Sequence, residues 1–492
     1  MTSSRSALVF AVLAVALAAE ASAQESGGGM SDLRGGFFAE SDGGGSDDGA
    51  DAGDATAEAG GASDNGASDT GAADGGTADG SGEAADTGGG DDGDATGSIG
   101  GKSVFGRKAA AGEDSRMPYP DEADDPFEPL GIRSGGMTYL PKIELRGGVT
   151  DNAARSATGK NGSYYEIAPE LVGRSDWSRH SLEVSLRGTF RDYVSGSTDS
   201  EPTFNGTVKS QLDLRETTAI NLKAGYDLSR ESATDPDVAG VVDRPLIHGL
   251  TGSVGFSQEI GAFELKPSLT ATRTIYERSA GGTNRNSTLT EAGLRATYDG
   301  GVVKPFVEAI ALRRGYDDKI DGNGQQRAAT GGELRGGVAF DHDTILVGEV
   351  ALGYRREHLK DAGLADLEGW TLVGDVTWTI SALTKVTVNA RTDFNPSTVL
   401  GASGSVKHQA DVKLSHSLRR NVVVDLGLVA GREDFTGLDR TDTSLEASAG
   451  ATYKLNRTAA VTARARHERL STTVPGEDYT ANSFEVGLSL QR

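Results

Sequence analysis

The side chains best able to do chemistry in this chain are charged residues that alternate with apolar ones from about residue 140 onward. In Ser181–Phe190, for example, Leu182 and Leu186 alternate with Glu183 and Arg187. The same phase in other segments places further charged side chains on one shared surface. They are Arg187, Arg191, Asp213, Lys223, Arg295, Arg335, Asp375, Arg391, Asp393, Asp411, Lys413, Arg464 and Arg466.

Two interpretations of this charged surface are open. Rings of mixed charge around an aqueous space act as a selectivity filter. Opposite charges on neighbouring strands can instead pair and merely hydrate the wall. Arg464 and Arg466, which lie two residues apart in one segment, are the candidates for a constriction.

The sequence does not indicate catalysis, a cofactor or a metal site. Its seven histidines are scattered, and His408 and His416 are too far apart along one strand to share a metal ion. The chain has no cysteine, which excludes disulfides and thiolate ligands. Gly97–Ser103 resembles a phosphate-binding loop, but Thr96 stands where the first glycine is required. We therefore expect a protein that is not an enzyme, with no catalytic, cofactor-binding or metal-binding residues.

Alternation at period two predicts β-strands with one apolar and one polar face. About eighteen such segments follow one another, and a bilayer tolerates only strands whose hydrogen bonds close on themselves. We predict an all-β fold, a transmembrane antiparallel up-and-down β-barrel of about eighteen strands, preceded by a disordered acidic segment. The phase is ambiguous in Val302–Arg313, where Val303 and Val307 compete with Phe306 and Ile310 for the outward face.

The connections between segments alternate in length, as expected for short periplasmic turns and longer external loops. The predicted tight turns are Arg215–Thr217, Glu259–Ala262, Asp299–Gly301, Asp341–Asp343, Ser381–Leu383, Arg419–Asn421 and Asn456–Arg457. Polar loops such as Glu231–Pro245, Tyr316–Gln326 and Ser471–Asp478 fall between them. Both chain ends are therefore predicted to be periplasmic.

Aromatic residues at the segment ends predict two membrane-interface girdles. The external set is Phe190, Phe204, Tyr226, Tyr276, Tyr354, Trp370 and Phe394, and the periplasmic set is Phe256, Phe263, Tyr298, Phe340, Trp378 and Tyr453.

The N-terminal residues divide into two predicted regions. Residues 1–23 contain Arg5, a short apolar run and the small residues Ala21-Ser22-Ala23, as in a secretory signal peptide. Residues 24–135 are rich in Gly, Asp and Ala and hold about 25 acidic and 6 basic residues. Such a composition cannot bury a core, which predicts disorder. Residues 136–492 form the predicted barrel.

A short stretch before and within the first predicted strand resembles the entry segment of the β-barrel porin type 2 family. The matching residues are Gly131, Arg133, Gly135, Pro141, Asp151 and Asn152. Departures are Met137, where an aromatic residue is usual, and Ala153-Ala154 after the asparagine. The resemblance implies a barrel in the outer membrane of a Gram-negative bacterium with porin-like activity, and identifies no substrate.

We therefore expect a passive channel for small hydrophilic solutes or ions. Export of an anionic surface polysaccharide is an alternative, and a barrel that anchors an acidic periplasmic tether is a third. The expected partners are outer-membrane lipid, the barrel-assembly machinery, and the solutes or polysaccharide, with no nucleic acid. The oligomeric state is open, a homotrimer being one alternative.

Overall fold

The computed structural model describes residues 127–195, 200–231, 235–238, 244–277, 284–342 and 345–492. The predicted signal peptide and nearly all of the predicted acidic segment lie outside these residues. The strands are β1 (Ile132–Ser134), β2 (Met137–Thr150), β3 (Gly162–Ser175), β4 (Ser181–Ser195), β5 (Glu201–Arg215), β6 (Thr218–Arg230), β7 (Leu246–Ile260), β8 (Phe263–Tyr276), β9 (Ser287–Tyr298), β10 (Val303–Tyr316), β11 (Ala329–His342), β12 (Leu346–Leu359), β13 (Leu367–Ser381), β14 (Thr384–Pro396), β15 (Gly404–Arg419), β16 (Val422–Thr436), β17 (Thr441–Lys454), β18 (Ala459–Thr472) and β19 (Tyr479–Gln491).

Helix is limited, within the described ranges, to one 3-10 turn at Pro236–Val238. No helix in this part of the chain is both long and apolar enough to span a membrane.

The sheet closes into a barrel because its last strand pairs with its second. Each strand from β2 to β19 pairs antiparallel with the next, and β19 returns to β2 with registers from Ser483↔Thr150 to Gln491↔Lys142. The eighteen predicted strands are thereby confirmed. The short strand β1 pairs with the start of β2, from Met137 to Tyr139. These residues precede Lys142, where the pairing of β2 with β19 ends.

The predicted tight turns and longer loops alternate as expected. β5 ends at Arg215 and β6 begins at Thr218, and β15 ends at Arg419 and β16 begins at Val422. The last residue of the predicted turn at Asp341–Asp343, Asp343, lies outside the described residues. Because outer-membrane barrels have short periplasmic turns, we call the end with these turns periplasmic and the end with the longer loops external.

The structure resolves the ambiguous phase of β10. Val303 and Val307 are exposed on the outer face, whereas Phe306 and Leu312 are buried on the inner face. The reason is the register with β9 and β11, which aligns Glu308 with Arg295 and Arg335 and so fixes the even-numbered residues of β10 inward.

Aromatic pairs lie on the outer face near both ends of the barrel. Tyr354 and Trp370 make an edge-to-face pair 5.5 Å apart near the external loops, and Phe263 and Tyr298 pair at 5.4 Å beside a periplasmic turn. Two aromatics assigned to the external girdle pack elsewhere. These are Tyr276, which lies 4.1 Å under the Arg285 guanidinium, and Phe394, which is buried in an apolar cluster.

That apolar cluster forms where the wall departs from regular pairing. Pairing between β13 and β14 stops at Gly374↔Ala390, although β14 continues to Pro396 alongside β15. Phe394 then packs with Leu367 and Val406. Arg314, on the inner face of β10, donates to the Phe394 carbonyl at 3.2 Å. A contact between strands four positions apart must cross the interior, so the external end of β14–β15 leans over the lumen.

Residues of the entry motif fasten the seam between β2 and β19. Asp151 accepts hydrogen bonds from the backbone and the side-chain amide of Asn482 at 2.7 and 2.6 Å. Asn152 donates to the Thr480 carbonyl at 2.9 Å. Gly131 and Gly135 have positive φ angles, which only glycine adopts without strain. Asp151 and Asn152 therefore help to hold the closing strands together at the external end of the seam.

Candidate functional site

A cavity of about 700 Å³ lies inside the barrel, with walls from strands β3 to β14. The predicted residues that line it are Arg187, Arg191, Lys223, Arg335, Arg391 and Asp393. The remaining predicted residues lie outside the lining of this cavity, on the face of their strands opposite to the exposed apolar residues. They are Asp213, Arg295, Asp375, Asp411, Lys413, Arg464 and Arg466.

The wall next to the seam is a ladder of buried ion pairs. Arg146 on β2 donates to Glu166 on β3 at 2.5 Å and also pairs with Glu144. Arg191 on β4 lies 2.8 Å from the same Glu166. The side chains of this ladder are at most 8% exposed. Since a buried charge is costly unless it is paired, each member here depends on its neighbours.

The two constriction candidates join this wall from the other side of the seam. Arg464 lies 3.2 Å from Glu485 on β19, and Arg466 lies 3.2 Å from Glu446 on β17. Tyr164 donates to Glu485 at 3.2 Å. Both arginines therefore make ion pairs with residues of neighbouring strands. This is the arrangement described by the interpretation in which opposite charges on neighbouring strands pair.

A second group of ion pairs covers the wall from β9 to β12. Arg295 donates to both carboxylate oxygens of Glu349, at 3.2 and 2.8 Å, and lies 3.5 Å above the Phe306 ring. Arg335 pairs with Glu308 at 2.9 Å. These bonds hold the guanidinium groups along the wall and leave the centre of the cavity clear.

The wall of β7 and β8 is lined by small hydroxyl side chains instead. Thr251 lies 3.2 Å from Thr272, and Ser253 lies 2.9 Å from Thr270, each pair joined by a hydrogen bond between hydroxyl groups. Thr251, Ser253, Ser268 and Thr270 all line the cavity. Short side chains leave space here, and their hydroxyls offer hydrogen bonds to water or solutes.

An acidic row lies on the wall from β12 to β15. The registers align Glu349 with Asp375, Asp375 with Asn389, and Asn389 with Asp411. Lys209, on β5, interacts electrostatically with Asp375. Because β5 and β13 stand on opposite walls of the barrel, the acidic row faces a cation across the lumen. Lys209 also lies 3.6 Å from Glu183, and Glu349 pairs with Arg295 at 2.8 Å, so part of this charge is neutralised along the walls.

A loop crosses the external mouth. We call residues 397–403, between β14 and β15, the mouth bridge. The Thr398 amide donates to Asp237 at 2.8 Å, and the Thr398 hydroxyl also bonds to that carboxylate. Asp237 belongs to the loop between β6 and β7, which lies nearly opposite in the barrel. The mouth bridge therefore spans the opening and narrows it.

Arg327 anchors the mouth bridge from a third loop. It donates to the Val399 carbonyl at 2.9 Å and also to the Ala402 carbonyl. Asp321 accepts from Arg327 at 2.8 Å and holds the guanidinium in place. Burial alone would raise the pKa of Asp321, but hydrogen bonds from the Gln325 amide and from Arg327 lower that pKa below its usual range.

Sequence reasoning did not identify Asp237, Arg327 or Thr398, because each acts through a loop distant in sequence. It also missed Arg155, which has a φ of 42° and lies 2.8 Å from Glu468 on β18. Ala153, in the same loop, is fully buried. Among the described residues, no group of three or more His, Asp and Glu could hold a metal ion.

Residues 125–492 match the model of a family described as "Putative beta-barrel porin 2". The copper transporter OprC is similar at 9% identity and a TM-score of 0.40, covering 74% of this chain and 81% of that one. OpdK from Pseudomonas aeruginosa is similar at 10% identity and a TM-score of 0.39, covering 72% and 99%. A BenF-like porin from Pseudomonas fluorescens Pf-5 gives the same four values. No curated protein matches the chain.

Proposed function

The chain belongs to the beta-barrel porin 2 family, and from this premise we propose that it is a passive channel for small hydrophilic solutes or ions. As a porin-like β-barrel it resides in the outer membrane, where its outer face contacts lipid. A homotrimeric state and insertion by the barrel-assembly machinery remain predictions.

The observation that carries the proposal is the polar lining of the cavity. Ion-paired arginines cover two walls, and hydroxyl groups such as those of Ser253 and Thr270 cover the space between them. Such a surface holds water, and barrels of sixteen to eighteen strands are wide enough for an aqueous channel. Solutes that hydrogen-bond well therefore lose few hydrogen bonds when they pass from water into the cavity.

The mouth bridge supports small solutes over a polymer. Thr398 reaches Asp237 across the opening, and Arg327 secures the other side of the bridge. A polysaccharide in transit would have to displace these contacts along its whole length, whereas a small solute can pass beside them. The acidic row on β12 to β15 adds discrimination by charge, since charged side chains around a lumen select among charged solutes.

Conductance of the full-length mature chain in planar bilayers tests the proposal, with a bulky residue placed in the lumen. Ser253 lines the cavity, whereas its neighbour Val254 is exposed on the outer face. We expect Ser253→Trp to reduce single-channel conductance and Val254→Trp, the matched control, to leave it unchanged.

A second arm uses the absence of native cysteine. A thiol reagent added to Ser253→Cys in the bilayer is expected to block current already flowing. A folded barrel that carries no current, or equal currents in all variants, contradicts the channel proposal.

A further inference from the structure

Three arginines lie on the outer face of the barrel near the external loops, on the alternate strands β8, β10 and β12. Two of them are neutralised within the chain, because Arg273 on β8 lies 2.6 Å from Asp317 and Arg356 on β12 lies 2.6 Å from Asp366. Arg313 lies between them on β10 and is exposed, and none of the described carboxylates pairs with it. The charge of Arg313 is therefore available to a group outside the chain.

Two hydroxyl groups flank this arginine. The register aligns Arg313 with Thr290 on β9 and with Thr330 on β11, and all three side chains are exposed on the outer face. Side chains directly opposite each other on neighbouring strands are about 5 Å apart. A guanidinium presents a planar fork of N–H donors, and each threonine hydroxyl adds one more donor. Such a row of donors suits the oxygens of a phosphate group.

The height of Arg313 on the barrel places it at the edge of the apolar band. Below it, β10 presents a row of exposed apolar side chains to the membrane, which are Val303, Pro305, Val307, Ala309 and Ala311. From Val303, beside the periplasmic turn, to Arg313 is about 33 Å along the strand, which a tilt of about 40° reduces to about 25 Å of height. The apolar band of such barrels is about 25 Å tall. Arg313 therefore lies where the external lipid headgroups begin.

Aromatic side chains mark the same boundary on the neighbouring strands. Tyr354 on β12 and Trp370 on β13 form their edge-to-face pair on the outer face near the external loops, and both are exposed. Aromatic rings of this kind collect at the level where the hydrocarbon meets the headgroups. The anion that meets Arg313 there belongs to a lipid, because lipid surrounds this face of the barrel.

We propose that Arg313, Thr290 and Thr330 bind the phosphate group of an anionic lipid in the external leaflet. The guanidinium can donate two parallel hydrogen bonds to one phosphate. Its aliphatic part can lie over apolar surface while the charged end stays at headgroup level. Because the contact is exposed to solvent, salt weakens it. The proposal requires only that the barrel stands in the outer membrane, so it does not depend on whether the lumen conducts.

Quenching of a fluorescent label beside the site by brominated lipids tests the proposal. The chain has no cysteine, and Leu334 is 67% exposed on the outer face of β11, the strand that carries Thr330. The full-length protein, with a bimane label at Leu334→Cys, is placed in phosphatidylcholine vesicles. These contain increasing fractions of phosphatidic acid or of phosphatidylcholine that is brominated in its acyl chains. We expect phosphatidic acid to quench at lower fractions, with a preference of about two- to fivefold, as for an exposed ion pair.

Two arginine variants of the labelled protein then identify the site. Arg313→Gln is expected to remove the preference for phosphatidic acid. Arg273→Gln, the matched control, removes one positive charge from the same sector but changes an arginine that Asp317 already neutralises, and it should keep the preference. The proposal is overturned if the two lipids quench equally in the labelled protein, or if Arg313→Gln keeps the full preference. An equal loss in both variants overturns it as well, because the preference would then reflect the general charge of this sector.

Discussion

At the external mouth Arg327 and Glu231 are buried and paired, whereas Arg419 and Arg420, at the periplasmic turn β15–β16, are exposed. Arg327 is 3% exposed and Glu231 is fully buried, where it accepts hydrogen bonds from Arg285 at both carboxylate oxygens. Arg419 and Arg420 stand in a turn that has no acidic residue. The difference shows that these charges of the mouth are satisfied by contacts within it, and that the same contacts narrow the opening. The arginines of this turn are in contact with solvent instead.

The largest expected effect is at the centre of the mouth. Arg327→Ala removes the donor to Val399 and Ala402 and leaves Asp321 without its cation. Breaking one side of a buried ion pair costs about 3–5 kcal/mol, so we expect the mouth bridge to detach. Single-channel conductance should rise, and hydrogen exchange of residues 397–403 should quicken. Lys360→Ala, an exposed cation in the neighbouring loop, serves as control, and an unchanged current in Arg327→Ala would contradict a closing role for the bridge.

A smaller effect is expected where the bridge meets the opposite wall. Thr398→Val removes the hydroxyl that bonds to Asp237 but keeps the backbone amide contact. Leaving a buried acceptor short of one hydrogen bond costs about 1–3 kcal/mol. We expect more frequent opening events in current traces at unchanged peak conductance. Thr398→Ser keeps the hydroxyl and should behave as the natural chain does. Equal opening rates for the two variants would argue against the contact.

The frequency of opening events at the mouth should depend on pH through Asp321. Its pKa is lower in the folded protein than the ordinary value of about 3.9. The stabilisation of the folded mouth by the charged Asp321 carboxylate is therefore complete above about pH 5. It is lost as the pH falls through the lowered pKa. We expect opening events to increase below about pH 4. In Asp321→Asn this acid response should be absent, and its persistence there would assign it to another group.

Asp235 should respond in the opposite direction. Burial, together with the neighbouring charges of Asp237 and Glu231, raises its pKa well above the usual range. A carboxyl with a raised folded pKa favours the folded mouth at low pH, and this contribution disappears as the pH rises through that pKa. Asp235→Asn should remove the pH dependence of opening events on the alkaline side. The acid response that depends on Asp321 should stay intact. Current recordings across the pH range separate the two residues.

The sequence predicted the barrel well and the mouth poorly, for a physical reason. The two faces of a strand can be predicted from a short stretch of sequence. Residues such as Leu182 and Glu183 alternate with a period of two, which any ten-residue window contains. The contact of Thr398 with Asp237 joins residues 161 apart in loops of no periodicity. β10 lies between these cases: its alternation was visible, but only its pairing with β9 and β11 fixed which face is inward.

The smallest expected effect is on the stability of the barrel when the periplasmic turn β15–β16 is changed, and it sharpens the contrast with the mouth. Arg419 and Arg420 are exposed in a turn, and exposed substitutions usually change stability by no more than about 0.5 kcal/mol. Arg419→Glu with Arg420→Glu should therefore unfold at the same urea concentration as the natural barrel, as followed by heat-modifiable electrophoretic mobility. Arg327→Ala should weaken the mouth in the same experiment. If reversal at this turn destabilised the barrel as strongly, its arginines would be structural, and the contrast between buried, paired charges at the mouth and exposed charges at the turn would fail.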